Sequence, residues 1–141
     1  EEAYGHHRYL QSQFVFPNLL GIAHGTYQID NVFGNAAAIN EMLLQSQEGF
    51  VNLLPALPSK WKSGFINGLR AIGGFQVDMR WENAKILDAT VKSMIGGVCK
   101  VKAGRNILRV TSGKENIRFQ TGNNGIVTFD TKAGNLYQLT F

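Results

Sequence analysis

Alternating apolar and polar residues between positions 75 and 82 constrain the fold of this chain more than any other feature of its sequence. The apolar side chains fall at every second position, at Phe75, Val77, Met79 and Trp81. Successive side chains of a β-strand point to opposite faces of a sheet, so this spacing predicts a strand with one buried face. Asn83-Ala84 then predicts a turn, and a second alternating series predicts a returning antiparallel strand, with Leu87, Ala89 and Val91 on its apolar face.

Further alternating runs continue to the end of the chain, at residues 97–102, 107–111, 116–119, 126–129 and 136–141. Glycine-containing turns separate them, and a shorter apolar run at 50–54 precedes two prolines, Pro55 and Pro58. Short strands separated by turns roughly every ten residues are typical of an antiparallel β-sandwich. We therefore predict an all-β antiparallel sandwich domain over residues 50–141, with a domain boundary near Gly49.

The first 49 residues show a helical period instead. One stripe of a first helix is formed by residues spaced i, i+4, i+7 and i+11, namely Ala3, His7, Leu10 and Phe14, and we expect this helix to end before Pro17. Residues 16–26 have the composition of an apolar loop. A second helix is predicted over 33–47, ended by Gly49. Three alanines at 36–38 would let a neighbouring helix approach closely, and two helices alone cannot enclose a core.

Composition excludes several classes of function. The net charge of +4 is spread along the chain without a run of five like charges, so we expect no nucleic-acid partner. Cys99 is the single cysteine, which excludes an internal disulfide. No apolar run approaches the roughly 20 residues that a membrane-spanning helix needs. The adjacent His6 and His7 face different sides of a helix with no third ligand nearby, so neither a metal nor a cofactor is expected. The absence of an initiator methionine suggests a piece of a longer protein.

A polar cluster precedes the second helix, where Gln28, Asp30 and Asn31 lie between bulky apolar residues. In one interpretation Asp30 is a helix N-cap, because an aspartate before an apolar-periodic segment commonly accepts hydrogen bonds from the first free N–H groups. In the other, a carboxylate flanked by carboxamides binds hydroxyls or orients a water molecule for hydrolysis. The spacing of these residues is compatible with both.

A longer ordered series of motifs distinguishes the two interpretations. It comprises Ala23-His24, Gln28-Ile29-Asp30, Phe33-Gly34, the Ala-Ile-Asn-Glu-Met-Leu-Leu-Gln-Ser run at 38–46, the Leu-Leu-Pro-Ala-Leu-Pro run at 53–58, Trp61, and residues 68–78. This series resembles the C-terminal portion of the family 95 glycoside hydrolases, the inverting α-L-fucosidases that also include α-L-galactosidases. The resemblance covers about residues 17–100. One departure is that this chain has Asn31-Val32 where the family usually has Gly-Asn, which removes backbone freedom beside the acid.

The resemblance implies an α+β chain in which residues 1–49 are the last helices of an (α/α)6 catalytic barrel and residues 50–141 the following sandwich. It implies that Asp30 helps to activate the attacking water, while the general acid and the partner asparagines lie outside this chain. We predict that His24, Gln28 and Asn31 contact sugar hydroxyls. As alternatives, His24 only caps loop backbone and Gln28 only holds the loop.

The predicted partners are an oligosaccharide with a terminal α-L-fucosyl or related L-sugar and the remainder of the barrel. The resemblance also implies a parent protein in the periplasm or outside the cell. We expect this chain alone to be inactive. The alternative function is a non-catalytic sandwich module that buttresses a partner domain or binds carbohydrate. Three other residues are predicted to lie outside the site: Glu41 solvated, Trp81 in the core and Cys99 buried.

Overall fold

The computed structural model describes residues 1–141 except for the side chain of Ala23, and it contains two helices followed by β structure. The helices are α1 (Glu2–Phe14) and α2 (Ile29–Leu43), with a small hairpin of β1 (Ile22–Ala23) and β2 (Thr26–Tyr27) between them. The remaining strands are β3 (Leu44–Gln45), β4 (Val51–Leu53), β5 (Gly64–Ala71), β6 (Phe75–Glu82), β7 (Lys85–Ser93), β8 (Gly97–Ala103), β9 (Arg109–Ser112), β10 (Glu115–Asn116), β11 (Gln120–Thr121), β12 (Val127–Thr131) and β13 (Leu136–Thr140).

Two sheets enclose the main core. One has six strands in the order β10-β9-β13-β7-β6-β5, and the other has five in the order β11-β12-β8-β4-β3. Their paired strands are antiparallel except for β4 and β8, which pair in parallel. Both sheets contribute to one cluster of buried apolar side chains, which includes Val77, Val91, Val101, Val110 and Leu139. This arrangement confirms a mainly β, sandwich-like fold accompanied by two helices.

The predicted hairpin at 75–91 forms, with Ala89 and Val91 buried as predicted, but a bulge changes the face of the residues near its turn. Asn83 and Ala84 have positive φ angles of 51° and 58°, the conformation of a tight two-residue turn. The strand register then shifts between Arg80 and Trp81. Because a bulge moves the following residues to the other face, Ile86 is buried whereas Leu87 is 37% exposed. The prediction that Leu87 lies on the apolar face is therefore wrong.

The second helix begins and ends earlier than the predicted range of 33–47. It starts at Ile29 and stops at Leu43, after which Leu44 adopts an extended φ of −150°. Residues 44 and 45 pair with β4, so strand pairing and burial of Leu44 in the core override the helical period. Gly49 does not end the helix, because its positive φ of 81° belongs to the turn between β3 and β4.

Three local predictions about strands need correction. The eight-residue strand β5 was not predicted from its composition, and it carries a bulge between Ile66 and Leu69. The predicted strand at 116–119 is wrong beyond Asn116, which ends β10, because residues 117–119 connect β10 in one sheet to β11 in the other. The predicted loop at 16–26 contains the β1–β2 hairpin. The placement of the domain boundary near Gly49 stays a prediction.

Both helices contact the sandwich. The ring of Tyr4 in α1 meets Trp61 edge to face, with centroids 5.8 Å apart. Trp81 is buried as predicted, and its indole N–H donates to the Trp61 carbonyl at 2.9 Å. Met42 and Leu43, in the last turn of α2, are buried. The predicted stripe of α1 is only partly buried, because His7 is enclosed while Leu10 is exposed. Neither described helix is long and apolar enough to cross a membrane.

The last strand offers a matched test of this core. Leu139 is fully buried, whereas Leu136 of the same strand is 48% exposed. We expect Leu139→Ala to lower the free energy of unfolding by about 2–5 kcal/mol, since it removes buried methyl groups and leaves a cavity. Leu136→Ala is the control and should stay within about 0.5 kcal/mol of the unsubstituted chain. Urea denaturation followed by tryptophan fluorescence measures both, and equal losses would contradict the described inner and outer faces of β13.

Candidate functional site

The residues of the predicted site lie on one continuous segment, from the β1–β2 hairpin into the first turn of α2. His24 and Gly25 form the two-residue turn of the hairpin with φ angles of 50° and 75°, and His24 is exposed at its tip. The backbone N–H of Gln28 donates to the Gly21 carbonyl at 3.0 Å, which fixes the exit of the hairpin against the preceding loop. The half-buried Gln28 is the N-cap residue of α2.

Asp30 lies in the first turn of α2 and is exposed to solvent. The interpretation of Asp30 as the N-cap is wrong, because Gln28 occupies that position and, in the described part of the chain, makes no side-chain capping bond. A carboxylate near a helix N-terminus interacts favourably with the helix dipole. The side chain is thus held at a helix start and open to solvent, where it can accept hydrogen bonds from a hydroxyl or a water molecule.

Asn31, the next residue of the helix, is half-buried and its side chain turns into the protein. Its Nδ2 donates to the carbonyl of Phe14 at 3.1 Å and to that of Ile22 at 3.4 Å. A Cβ atom placed on Gly21 would lie 2.9 Å from the Cβ of Asn31, closer than real Cβ contacts come. The Asn31 side chain therefore fills the space that the missing side chain of Gly21 leaves. The sequence brings Asp30 and Asn31 together, and the fold points them apart.

Two residues that sequence reasoning did not assign to the site complete this arrangement. Asn35 Nδ2 donates to the backbone carbonyl of Asn31 at 2.8 Å and also contacts its Oδ1. Asn35 Oδ1 lies 3.1 Å from Nδ1 of His7, which is only 5% exposed. The available signals were weak: a histidine on the apolar stripe of α1, and an asparagine one helical turn after Asn31.

The other polar candidates lie away from this cluster. Glu41 is exposed, as predicted, and accepts a hydrogen bond from Gln47 Nε2 at 2.7 Å. His6 lies 3.8 Å from the Glu2 carboxylate on the outside of α1. Across the residues that the structure describes, no group of three His, Cys, Asp or Glu side chains is arranged to hold a metal ion.

Large apolar side chains surround the segment and face solvent. This exposed apolar set comprises Tyr9, Leu10, Phe16, Leu19, Leu20, Tyr27, Ile29 and Phe33, with Leu19 the most exposed at 74%. Residues 1–48 therefore expose an apolar surface. Patches of this kind commonly mark a contact with another protein surface, since water-exposed apolar area is costly. The alanines at 36–38 are exposed as well.

Sequence comparison places the chain in a family. The sequence model of the family described as "Glycoside hydrolase family 95, C-terminal domain" matches residues 45–139, more than half of the chain. The chain belongs to glycoside hydrolase family 95. The family resemblance predicted from the motifs is thereby confirmed, and the matched residues of this family 95 chain contain β4 to β12 in full and all but the outermost residue of β3 and of β13.

Two relatives are similar to part of this family 95 chain. Alpha-L-fucosidase 2 of Arabidopsis thaliana is 49% identical over 67 residues, which are 47% of this chain and 8% of the relative. Probable alpha-fucosidase A of Aspergillus oryzae is 34% identical over 74 residues, which are 45% of this chain and 10% of the relative. Each match thus spans a tenth or less of the relative's length.

Cys99 is buried in the sandwich, away from the polar cluster. Burial raises the pKa of its thiol from an ordinary value of 9.0 to about 12. The thiolate is the nucleophilic form of cysteine, so this side chain is inert in the folded protein at neutral pH. The prediction of a small buried residue is confirmed.

The raised pKa of Cys99 predicts how stability depends on pH. Below pH 9 the thiol is protonated in both states, and its contribution to stability is fully present. As the pH rises from 9 towards 12, only the unfolded chain loses the proton, so the free energy of unfolding falls by up to about 1.4 kcal/mol per pH unit. Urea denaturation of the wild type and Cys99→Ala between pH 7 and about pH 11 measures this, with the extra loss confined to the wild type. Parallel pH profiles would contradict the assignment.

Proposed function

We propose that this chain is the C-terminal part of an inverting glycoside hydrolase that removes terminal α-L-fucosyl or related L-sugar residues from glycans. The observation that carries the proposal is the exposed carboxylate of Asp30, held at the start of α2 by a neighbour that turns inward. Membership of family 95 and the names of the two relatives support the substrate class. The longer polypeptide that would contain this chain is called the parent hereafter.

Asp30 acts on the water side of the reaction. Its carboxylate accepts a hydrogen bond from an asparagine side chain. This bond orients the carboxamide so that it can draw a proton from the attacking water. The water oxygen bonds to the anomeric carbon while the glycosidic bond breaks on the opposite face, and a general acid gives the leaving oxygen its proton. Inversion needs about 6.5–9.5 Å between the two carboxyl groups to make room for that water. The acid and the asparagines that assist Asp30 lie in the parent, before this chain.

The exposed apolar set is the surface on which the rest of the parent's helical domain packs. The short spans of the matches support an occupant from the same polypeptide, since each covers a tenth or less of the relative. The small side chains at 36–38 allow a helix axis to approach α2 closely. Residues 1–49 are then the last helices of an (α/α)6 barrel, with Asp30 facing its interior. In such a barrel, the earlier helices of the parent would also line the site.

His24 and Gln28 contact sugar hydroxyls in this proposal. His24 is exposed at the hairpin tip, and both residues lie within six positions of Asp30. An imidazole and a carboxamide can each donate and accept, which suits a hydroxyl that does both. A contact of Asn31 with sugar stays a prediction, and the inward hydrogen bonds of its amide disfavour it.

The sandwich acts as a support for the helices. Leu43 of the last turn of α2 packs in the sandwich core, and Tyr4 of α1 contacts Trp61. These contacts favour a buttress over an independent carbohydrate-binding module. Titration of this chain with fucosylated oligosaccharides separates the two, since saturable binding that survives removal of residues 1–43 would support the module.

The role of Asp30 is tested in the parent by Asp30→Asn, which keeps the size of the side chain and removes its charge. We expect kcat for an α-L-fucosyl oligosaccharide to fall by about 10²–10⁴-fold, the range that general acid–base groups contribute. Asp130→Asn is the matched control on an exposed position of β12 and should leave kcat unchanged. NMR of the first-formed product should show β-L-fucose. Near-wild-type turnover in Asp30→Asn would return this residue to a structural role.

The 141-residue chain by itself should not hydrolyse the same oligosaccharide at a measurable rate. It holds only the water side of the reaction, and each absent acid–base group removes roughly 10²–10⁴-fold of rate. The assay compares equal molar amounts of the parent and of the isolated chain over an extended incubation. Turnover by the isolated chain would show that the general acid lies within these 141 residues.

A further inference from the structure

The first turn of α2 is held in place without a capping side chain. Within the described structure its N-cap residue Gln28 makes no side-chain capping bond, yet the turn is tied to three carbonyl groups outside the helix. The Gln28 N–H donates to Gly21, and the Asn31 amide donates to Phe14 and to Ile22. The end of α1, the loop and the hairpin are therefore fastened to the residues on either side of Asp30.

The hydrogen bonds behind Asn31 run in a single direction. Both carbonyls that face Asn31 Nδ2 only accept, so this amide nitrogen must donate and Oδ1 must face Asn35. Asn35 Nδ2 then donates to Asn31, which leaves Asn35 Oδ1 as the acceptor for His7 Nδ1. The series of donors is His7 to Asn35 to Asn31 to the backbone, and in it each carboxamide has only one orientation.

Burial makes this series costly to break. His7 is 5% exposed, and Asn31 and Asn35 are half-buried between α1, α2 and the loop. A buried polar group that loses its partner retains the full cost of leaving water, so truncating one member leaves the next unsatisfied. The close approach of Asn31 to Gly21 adds a steric constraint, since the Asn31 side chain packs against Gly21 and has no room to shift towards it.

We propose that His7, Asn35 and Asn31 are positioning residues that fix the direction in which Asp30 projects into the active site. The inference rests on the proposed function, because it acts through the role of Asp30 in activating water. Asp30 precedes Asn31 in the same helical turn, so a rotation of that turn moves its carboxylate. A displacement of about 1 Å at a reacting group can cost about 10²-fold in rate.

The test uses the parent and separates orientation from stability. Asn35→Ala removes the central link, and we expect kcat to fall about tenfold or more while KM changes less than about threefold. Asn40→Ala is the matched control, the same substitution at an exposed position of the same helix. Leu139→Ala is the stability control, because it lowers the melting temperature from the sandwich core without touching the site. Both controls should keep the wild-type kcat well below their melting temperatures.

Two further substitutions test the direction of the donors. His7→Asn places an amide nitrogen where Nδ1 stood, so it should retain kcat, whereas His7→Leu removes the donor and should lower kcat as Asn35→Ala does. Asn35→Asp keeps the acceptor for His7 and the shape of the side chain but loses the donor to Asn31. It serves as the second variant at position 35 if Asn35→Ala does not fold, with the same loss of kcat expected.

The outcomes distinguish this inference from the function on which it rests. An inactive wild-type parent, or an Asp30→Asn parent with full turnover, overturns the proposed function. If Asp30→Asn is impaired while Asn35→Ala and His7→Leu keep the wild-type kcat, the positioning role is overturned. A rise in KM alone would make these residues substrate contacts instead and would overturn it too. A loss of kcat in His7→Asn equal to that in His7→Leu would overturn the assigned donor.

Discussion

The point at which α2 becomes β3 is the constraint on which the rest of this structure depends. Met42, Leu43 and Leu44 are all buried there, and the Leu44 N–H still donates to Asn40 in the helix while residue 44 pairs with Leu53 in the sheet. The Leu54 N–H in turn donates to the Leu43 carbonyl. One end of α2 is therefore built into the sandwich. At a rise of about 1.5 Å per residue, Asp30 stands about 20 Å from that anchor.

The two parts of the chain bury apolar surface very differently. The sandwich encloses side chains from both sheets, and its largest members are almost wholly inaccessible to solvent. The helical part encloses His7 with a polar cluster and leaves most of its large apolar residues exposed, apart from the last turn of α2. Because most of the stability of a helix in a protein comes from packing its apolar face, contacts within residues 1–141 stabilise the two helices less than they stabilise the sandwich. The sandwich end of α2 supplies one of them.

Local patterns predicted the elements better than their ends. Asn83-Ala84 predicted the hairpin correctly, but a bulge, which no period-two pattern contains, moved Leu87 outward. The helical period in the sequence continues past Leu43, because an apolar Leu44 fits both a helix and a strand. Pairing with the partner strand β4 makes residue 44 a strand residue. In the candidate site, the family motif is what singled out Asp30. His7 and Asn35 were missed, because they lie 28 residues apart and neither carries a motif of its own.

The departure of this chain from the family motif at Asn31 is compatible with the proposed chemistry. A positive φ angle is one condition that calls for glycine, and Asn31 does not meet it, since it lies inside α2 and is not among the non-glycine residues of positive φ. Replacing glycine there removes freedom that the helical turn does not use and adds an amide that binds two carbonyls. Gly21 supplies the room for that amide. Compared with glycine, Asn31 has less backbone freedom and gains side-chain hydrogen bonds beside Asp30. Both effects make the turn more rigid, and the carboxylate of Asp30 stays exposed.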